Sequence, residues 1–166
     1  MFIAHLPSGY ILAKFLDKKL KQTKISKKIF SAIIMIGAVF PDIDLFYFYL
    51  LDDRSVHHHK YFLHWFSFWI PIFLISYFYF KFSKYTSRLA LAIVLFSSAA
   101  LLHISLDTFV GDVWLFAPFM DKSYVFFEVT NRYQPWWLNF IFHWSFGVEI
   151  LICIGALILF LKNKSV

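Results

Sequence analysis

Five apolar stretches, joined by short polar or basic connectors, account for most of the pattern along this chain. They cover residues 1–16, 29–51, 62–80, 89–110 and 138–161. A helix that crosses the hydrocarbon core takes about 20 mainly apolar residues, and four of the five stretches reach or approach that length. The pattern therefore predicts an all-α fold, a polytopic membrane bundle of about five segments, in a single domain over residues 1–166.

The first stretch is the shortest of the five. As a helix it would extend only about 24 Å, against a hydrocarbon core of about 30 Å. We expect residues 1–16 to form a short span, and a helix lying in the membrane interface is the alternative. The lysines follow the apolar residues, which is the reverse of the order in a cleavable signal peptide, so we expect this segment to be kept.

The distribution of charge predicts how the chain lies in the membrane. Lysine and arginine gather in the connectors 17–28 and 81–88 and at the C-terminus. Cytoplasmic loops carry such an excess, which predicts an extracytoplasmic N-terminus and a cytoplasmic C-terminus. The chain is 60% hydrophobic and 16% charged, so its net charge of +6 indicates membrane orientation, and we expect no nucleic-acid partner. The single cysteine, Cys153, excludes an internal disulfide.

Two aspartates interrupt the second apolar stretch. Asp42 and Asp44 follow Pro41 near its outer end, and each carboxylate would cost about 2.5 kcal/mol or more if it faced lipid. On a regular helix the two side chains would point about 200° apart. Both can reach one site only if the helix breaks at Pro41, so we expect a break there.

Histidines recur at spacings that suit a metal site. His103 and Asp107, four residues apart, share one helix face, so they could bind one metal ion or form a self-satisfied hydrogen-bonded pair. His59 and His64 would converge only across a turn that enters the third stretch. We expect the neighbouring His57 and His58 to be solvated.

The predicted topology places these groups at one depth. If the first stretch spans, all seven histidines fall in the outer half of the membrane, and His5 joins the others. His143 and Glu149 lie six residues apart in the last stretch, on different faces, and the sequence assigns them no role. Neither G-x-S-x-G nor a glycine-rich phosphate loop is present, which favours metal chemistry over a side-chain nucleophile.

Several short motifs occur in a fixed order along most of the chain. They are His5, GAVFPDID at 37–44, HKYFLH at 59–64, HISLD at 103–107, Gly111 and Pro118. As a set they resemble the LexA-regulated, inner-membrane metal-dependent hydrolases (YdjM-like), whose motifs are similar to those of zinc-dependent phospholipase C. Lys60, Tyr61 and Trp65 depart from that family's usual residues.

The resemblance implies a hydrolase in the inner membrane of a prokaryote. Its mono- or dinuclear centre would hold zinc, with manganese as the alternative, and would cleave a phosphoester in a phospholipid or another lipid-linked phosphate. The implied metal ligands are His5, Asp42, Asp44, His59, His64, His103 and Asp107, with Asp42, Asp44 and His64 as the catalytic residues. Two alternatives remain: an ion or proton transporter that uses the same cluster and Glu149, and a non-catalytic membrane protein.

Overall fold

The computed structural model describes residues 3–19 and 25–164 of the chain. Residues 1–2 of the predicted first segment and residues 20–24 of the basic connector lie outside that part. The helices are α1 His5–Lys19, α2 Lys27–Gly37, α3 Asp44–Leu50, α4 Phe66–Phe82, α5 Arg88–Asp107, α6 Leu138–Ile141 and α7 Trp144–Lys164. Short 3-10 turns cover Phe40–Ile43, His58–Lys60 and Phe62–His64. The predicted all-α class is confirmed.

The prediction of about five membrane segments is not matched by the lengths of the helices. Among the residues that the structure describes, two helices, α5 and α7, can cross a membrane by length and composition, and α2 with the segment Phe40–Leu50 makes a third if that bent pair counts as one span. The 3-10 turns before α4 take up the start of the predicted third segment, which leaves an apolar helix of 17 residues. The helix α1 has 15 residues and ends in two lysines.

The last predicted segment, 138–161, is also interrupted. The four-residue helix α6 ends at Ile141, and α7 begins at Trp144. Of α6 and α7, only α7 has membrane length, and most of its side chains are exposed, which suits a helix that faces lipid.

The helix α5 lies at the centre of the bundle, where it contacts α1, α2 and α4. Small residues and branched aliphatic residues fill the inner contacts, with Ala13, Ile34, Leu95 and Ala99 almost completely buried. Large apolar side chains elsewhere lie on the outside; Phe82, for example, is 81% exposed. Contiguous exposed apolar surface of this kind is expected where lipid covers the protein.

Gly37 allows α2 to approach α5 closely. A Cβ atom built on Gly37 would lie 2.6 Å from the backbone oxygen of Phe96 and 3.2 Å from the Cβ atom of Ala99. Small residues permit such approaches between membrane helices. The contact holds the end of α2 against the half of α5 that leads to His103.

Replacing Gly37 with alanine should therefore destabilise the bundle. The added methyl group meets backbone rather than a movable side chain, so we expect Gly37→Ala to lower the free energy of unfolding by about 1–3 kcal/mol. Thermal unfolding in detergent would measure the change. Gly147→Ala is the matched control, because beyond the neighbouring backbone of its own helix no heavy atom lies within 4 Å of its added Cβ. Equal unfolding temperatures for the two variants would contradict the close α2–α5 contact.

Candidate metal centre

The helix break at Pro41 is present and brings both aspartates to one histidine. A 3-10 turn over Phe40–Ile43 separates α2 from α3, and the two halves of this pair are bent by 57°. His64 lies between the two carboxylates: its Nδ1 atom is 2.8 Å from Oδ2 of Asp44, and its Nε2 atom is 3.7 Å from Oδ1 of Asp42. The predicted break is therefore confirmed, and each carboxylate faces a different ring nitrogen.

The helix α5 supplies a second imidazole and a third carboxylate. His103 and Asp107 lie on one face, with Nε2 of the histidine 2.9 Å from Oδ2 of the aspartate. On its other side, Nδ1 of His103 is 2.8 Å from the carbonyl oxygen of Ala38, at the end of α2. The same imidazole therefore contacts both a carboxylate of its own helix and the backbone of the neighbouring helix.

The two 3-10 turns bring His59 and His64 together. Nδ1 of His59 is 2.9 Å from the carbonyl oxygen of Asp112, and its Nε2 atom is 3.7 Å from Oδ2 of Asp107. Gly111 leaves room for this ring, because a Cβ atom there would lie 3.1 Å from Cε1 of His59. The predicted convergence of His59 and His64 is present, with ring centroids 4.7 Å apart.

Two of the residues that depart from the family motif hold this turn in place. The ammonium group of Lys60 lies 2.8 Å from Oδ1 of Asp121, and it also lies over the ring of Trp114. Trp65 donates its indole N–H to the carbonyl oxygen of Lys60, at 3.0 Å. The departures are therefore compatible with a compact histidine turn, which is tied by Lys60 to the segment between α5 and α6.

The hydrogen bonds at Nδ1 determine which ring nitrogens are available to a metal. A carbonyl oxygen can only accept, so the Nδ1 atoms of His59 and His103 must be the donors. Their Nε2 atoms then carry the lone pair when the rings are neutral. Metal-binding histidines in proteins usually have this arrangement, with the second nitrogen donating to a carboxylate or a backbone oxygen. His64, with Asp44 at its Nδ1 atom, has the same arrangement.

Four ligand atoms converge where a single ion would fit. Nε2 of His64 and of His103, with one oxygen each of Asp42 and Asp107, lie within 4.8 Å of one another, and the four histidine–aspartate distances run from 2.9 to 3.7 Å. Ligands of a tetrahedral zinc ion, bonded at 2.0–2.2 Å, lie roughly 3.3–3.6 Å apart. Nε2 of His64 is buried and makes no hydrogen bond within the described residues. These residues fit a divalent metal ion.

His5 completes the cluster from the start of α1. Its Nε2 atom lies 3.1 Å from Oδ1 of Asp107, and its ring stacks on that of His103 with centroids 3.8 Å apart. The structure thus brings together all seven residues that the sequence proposes as ligands. Oδ2 of Asp107 faces three histidines, and Oδ1 faces His5. Asp107 would therefore hold a metal ion among these four histidines.

His58 has a position that the sequence did not predict. It was expected to be solvated, but it is half-buried and forms a second group of possible ligands with His59 and His64. Burial lowers the pKa of His58 to about 4, so its ring is neutral near pH 7. The run of three histidines was the available signal, but spacing alone does not distinguish which of them turns inward.

His143 and Glu149 make contacts of other kinds. Nδ1 of His143 lies 2.8 Å from the hydroxyl oxygen of Ser145. Glu149 is buried and accepts the backbone N–H groups of Ile3 and Ala4, at 2.7 and 3.3 Å. Backbone N–H groups at the start of a helix have no partner within the helix, so Glu149, which bonds the two residues directly before His5, holds the chain at the entrance to α1 and thereby helps to place His5.

The apolar helices and the buried histidine–aspartate cluster together define a helical membrane protein with a candidate metal centre. A family model described as YdjM inner membrane protein matches residues 1–164. The chain therefore belongs to the YdjM inner membrane protein family. Searches of curated proteins and of solved structures found no match.

The contact between Asp44 and His64 predicts a change in metal affinity. Asp44→Asn keeps a hydrogen-bond acceptor but removes the charge that orients the imidazole and strengthens its Nε2 atom as a ligand. We expect zinc affinity to fall about 10- to 100-fold, as measured by competition with a chromophoric chelator. Asp112→Asn is the matched control, because His59 contacts the backbone oxygen of that residue. Equal affinities in Asp44→Asn and wild-type protein would contradict the orienting role.

Proposed function

We propose that this chain is a membrane-embedded, metal-dependent hydrolase that cleaves a phosphoester of a phospholipid or another lipid-linked phosphate. One observation carries the proposal. Imidazole Nε2 atoms and carboxylate oxygens converge in a buried cluster. The imidazoles of His59, His64 and His103 each form a hydrogen bond to an oxygen atom through Nδ1. This arrangement is the one that metal-binding histidines adopt, and the cluster opens into a cavity large enough for a ligand.

The proposed ligands are His64, His103, Asp42 and Asp107, with His5, His59 and Asp44 supporting them. Two imidazoles with two carboxylates suit zinc, and manganese is the alternative because carboxylate oxygens also suit that ion. When bound, such an ion supplies Lewis acidity to a phosphoryl group and acidifies water.

The protein's own groups would handle the protons. The Asp42 side chain is 32% exposed and lines the cavity, so its carboxylate can accept a proton from an attacking water molecule. His64 is fully buried and has Asp44 at its Nδ1 atom, which favours a role as ligand over one as proton shuttle. The carboxyl group of Asp42, once protonated, can pass this proton to the leaving oxygen, and the neutral ring of His58 lines the same cavity, where it can accept a proton.

The proposed position of the site is the extracytoplasmic face of the inner membrane. The cluster lies at the Asp107 end of α5, and Arg88, with the basic connector before it, lies at the other end, about 28 Å away. The positive-inside rule would place the basic end in the cytoplasm. The N-terminus would then be outside and the C-terminus inside, and the substrate would come from the outer leaflet.

A transporter would need Glu149 as a further polar group, deeper in the membrane, on the path of the ion or proton. Glu149 accepts two backbone N–H groups at the entrance to α1, a contact that suits a structural role. We therefore favour hydrolysis over transport, and a vesicle experiment distinguishes the two.

Release of phosphate-containing products from lipid vesicles would test the hydrolase. A bound metal ion stabilises the transition state of such a reaction by several kcal/mol. We therefore expect His103→Ala to lower the rate at least about 1,000-fold. Treatment with a chelator should abolish the release, and added zinc should restore it. His143→Ala is the matched control, because His143 contacts Ser145 and lies outside the cluster. Proton or ion flux without product release would favour transport, and release that persists in His103→Ala would contradict the proposed centre.

A further inference from the structure

A cavity of about 530 Å³ lies beside the cluster and reaches the surface of the protein. Asp42, His59 and Asp107 of the cluster line this cavity. The aromatic side chains of Phe48 and Phe140 line it too, as does Trp136, which is 55% exposed. The lining thus combines carboxylates and imidazoles with apolar aromatic side chains.

Arg54 is the one lysine or arginine that lines this cavity in the described part of the chain. Its guanidinium carbon lies 4.8 Å from the centroid of the Tyr49 ring, and Tyr49 lines the same cavity. Within the described residues Arg54 makes no ion pair, so its five N–H donors remain available to a ligand. A stacked guanidinium is partly ordered before any ligand binds, which lowers the entropy cost of binding.

The backbone that carries Arg54 has an unusual conformation. Asp53 and Arg54 have φ values of 45° and 60°, in the left-handed region that residues with a Cβ rarely adopt. The N–H group of Arg54 donates to the carbonyl oxygen of Phe48, which folds the chain back over the end of α3. Such a conformation costs of order 1 kcal/mol or more per residue, and it is often found at functional sites.

The balance of charge indicates what the cavity would bind. Asp42 and Asp107 contribute two negative charges, which a divalent ion would neutralise. The positive charge left on the cavity wall is then that of Arg54, and a guanidinium matches a phosphate group in shape and in its paired donors. We infer that Arg54 is the specificity-determining residue that binds the phosphate of an anionic lipid, whose apolar tail lies against Phe48, Trp136 and Phe140.

This inference rests on the proposed function for the identity of the neighbouring centre, but the binding that it predicts does not require turnover. A free phosphate ion would use only the polar groups of the cavity lining. The aromatic side chains add affinity only if the ligand carries a tail, since buried apolar area contributes about 25 cal/mol per Å². Comparing the affinity for a phosphate that carries an apolar tail with that for free phosphate therefore shows whether the phosphate group bound by Arg54 belongs to a lipid or to a free ion.

The test is a binding measurement on the full-length, zinc-loaded protein. The probes are a short-chain phosphatidic acid, the matching diacylglycerol and inorganic phosphate. Arg54→Gln should weaken binding of the phosphatidic acid about 10- to 100-fold and leave the zinc content and binding of the diacylglycerol unchanged. Arg54→Lys should give an intermediate affinity, because it keeps the charge but loses the paired donors. Arg88→Gln, at the far end of α5, is the matched control.

The possible outcomes separate this inference from the hydrolase proposal. Equal affinity of Arg54→Gln and wild-type protein for phosphatidic acid would overturn the role of Arg54, even if the protein releases phosphate. Inorganic phosphate that binds as tightly as phosphatidic acid would overturn the lipid part of the inference. Binding that depends on Arg54 in a protein without hydrolytic activity would support this inference while the hydrolase proposal fails. An increase in KM with unchanged kcat in Arg54→Gln would support both.

Discussion

The carboxylate of Asp107 is the group on which the rest of the site depends. It is 2% exposed, and its two oxygens face histidines from α1, from the histidine turn and from α5. A buried carboxylate without a compensating charge costs several kcal/mol, so the surrounding segments must bring positive charge to it. Protons on the imidazoles or a metal ion among them can supply that charge. The Nδ1 atoms of His59 and His103 donate to backbone carbonyl oxygens, which leaves the Nε2 atoms to bind a metal ion. This arrangement favours the metal ion as the source of the positive charge.

The scaffold explains how a short chain builds this cluster. Gly37 lets α2 approach α5, and the carbonyl oxygen of Ala38 at the end of α2 then bonds His103. The break at Pro41 turns the chain so that Asp42 and Asp44 reach opposite nitrogens of His64. Each of these local features has a consequence at the site, because the cluster is assembled from four segments that contribute one or two ligands each.

Sequence reasoning reached the features that depend on local chemistry. A proline inside an apolar stretch predicts a broken helix, and a histidine four residues before an aspartate predicts a shared face. Asp42 and Asp44 could be proposed as ligands because polar groups in a membrane segment are costly unless they have a partner. His59 could be proposed because a turn into the third stretch would bring it to His64. The all-α class followed from apolar stretches of membrane length.

The remaining features depend on contacts between distant parts of the chain. The number of membrane-length helices was overestimated because apolar composition does not show that 3-10 turns take up the residues before Phe66. The inward position of His58 and the contacts of Glu149 with the backbone before α1 follow from tertiary packing. The spacing of residues along the sequence does not predict such contacts. It also does not predict the stacking of Arg54 on Tyr49 beside the cavity.

The metal content of the purified protein tests the account most directly. Elemental analysis would compare the wild-type protein with His103→Ala and Asp42→Ala, whose substitutions lie in separate segments. The account predicts at least about one equivalent of zinc or manganese per wild-type chain, and its loss in both variants. A wild-type protein that holds no metal and takes up none when zinc is added would contradict the assignment of the histidine–aspartate cluster as a metal centre.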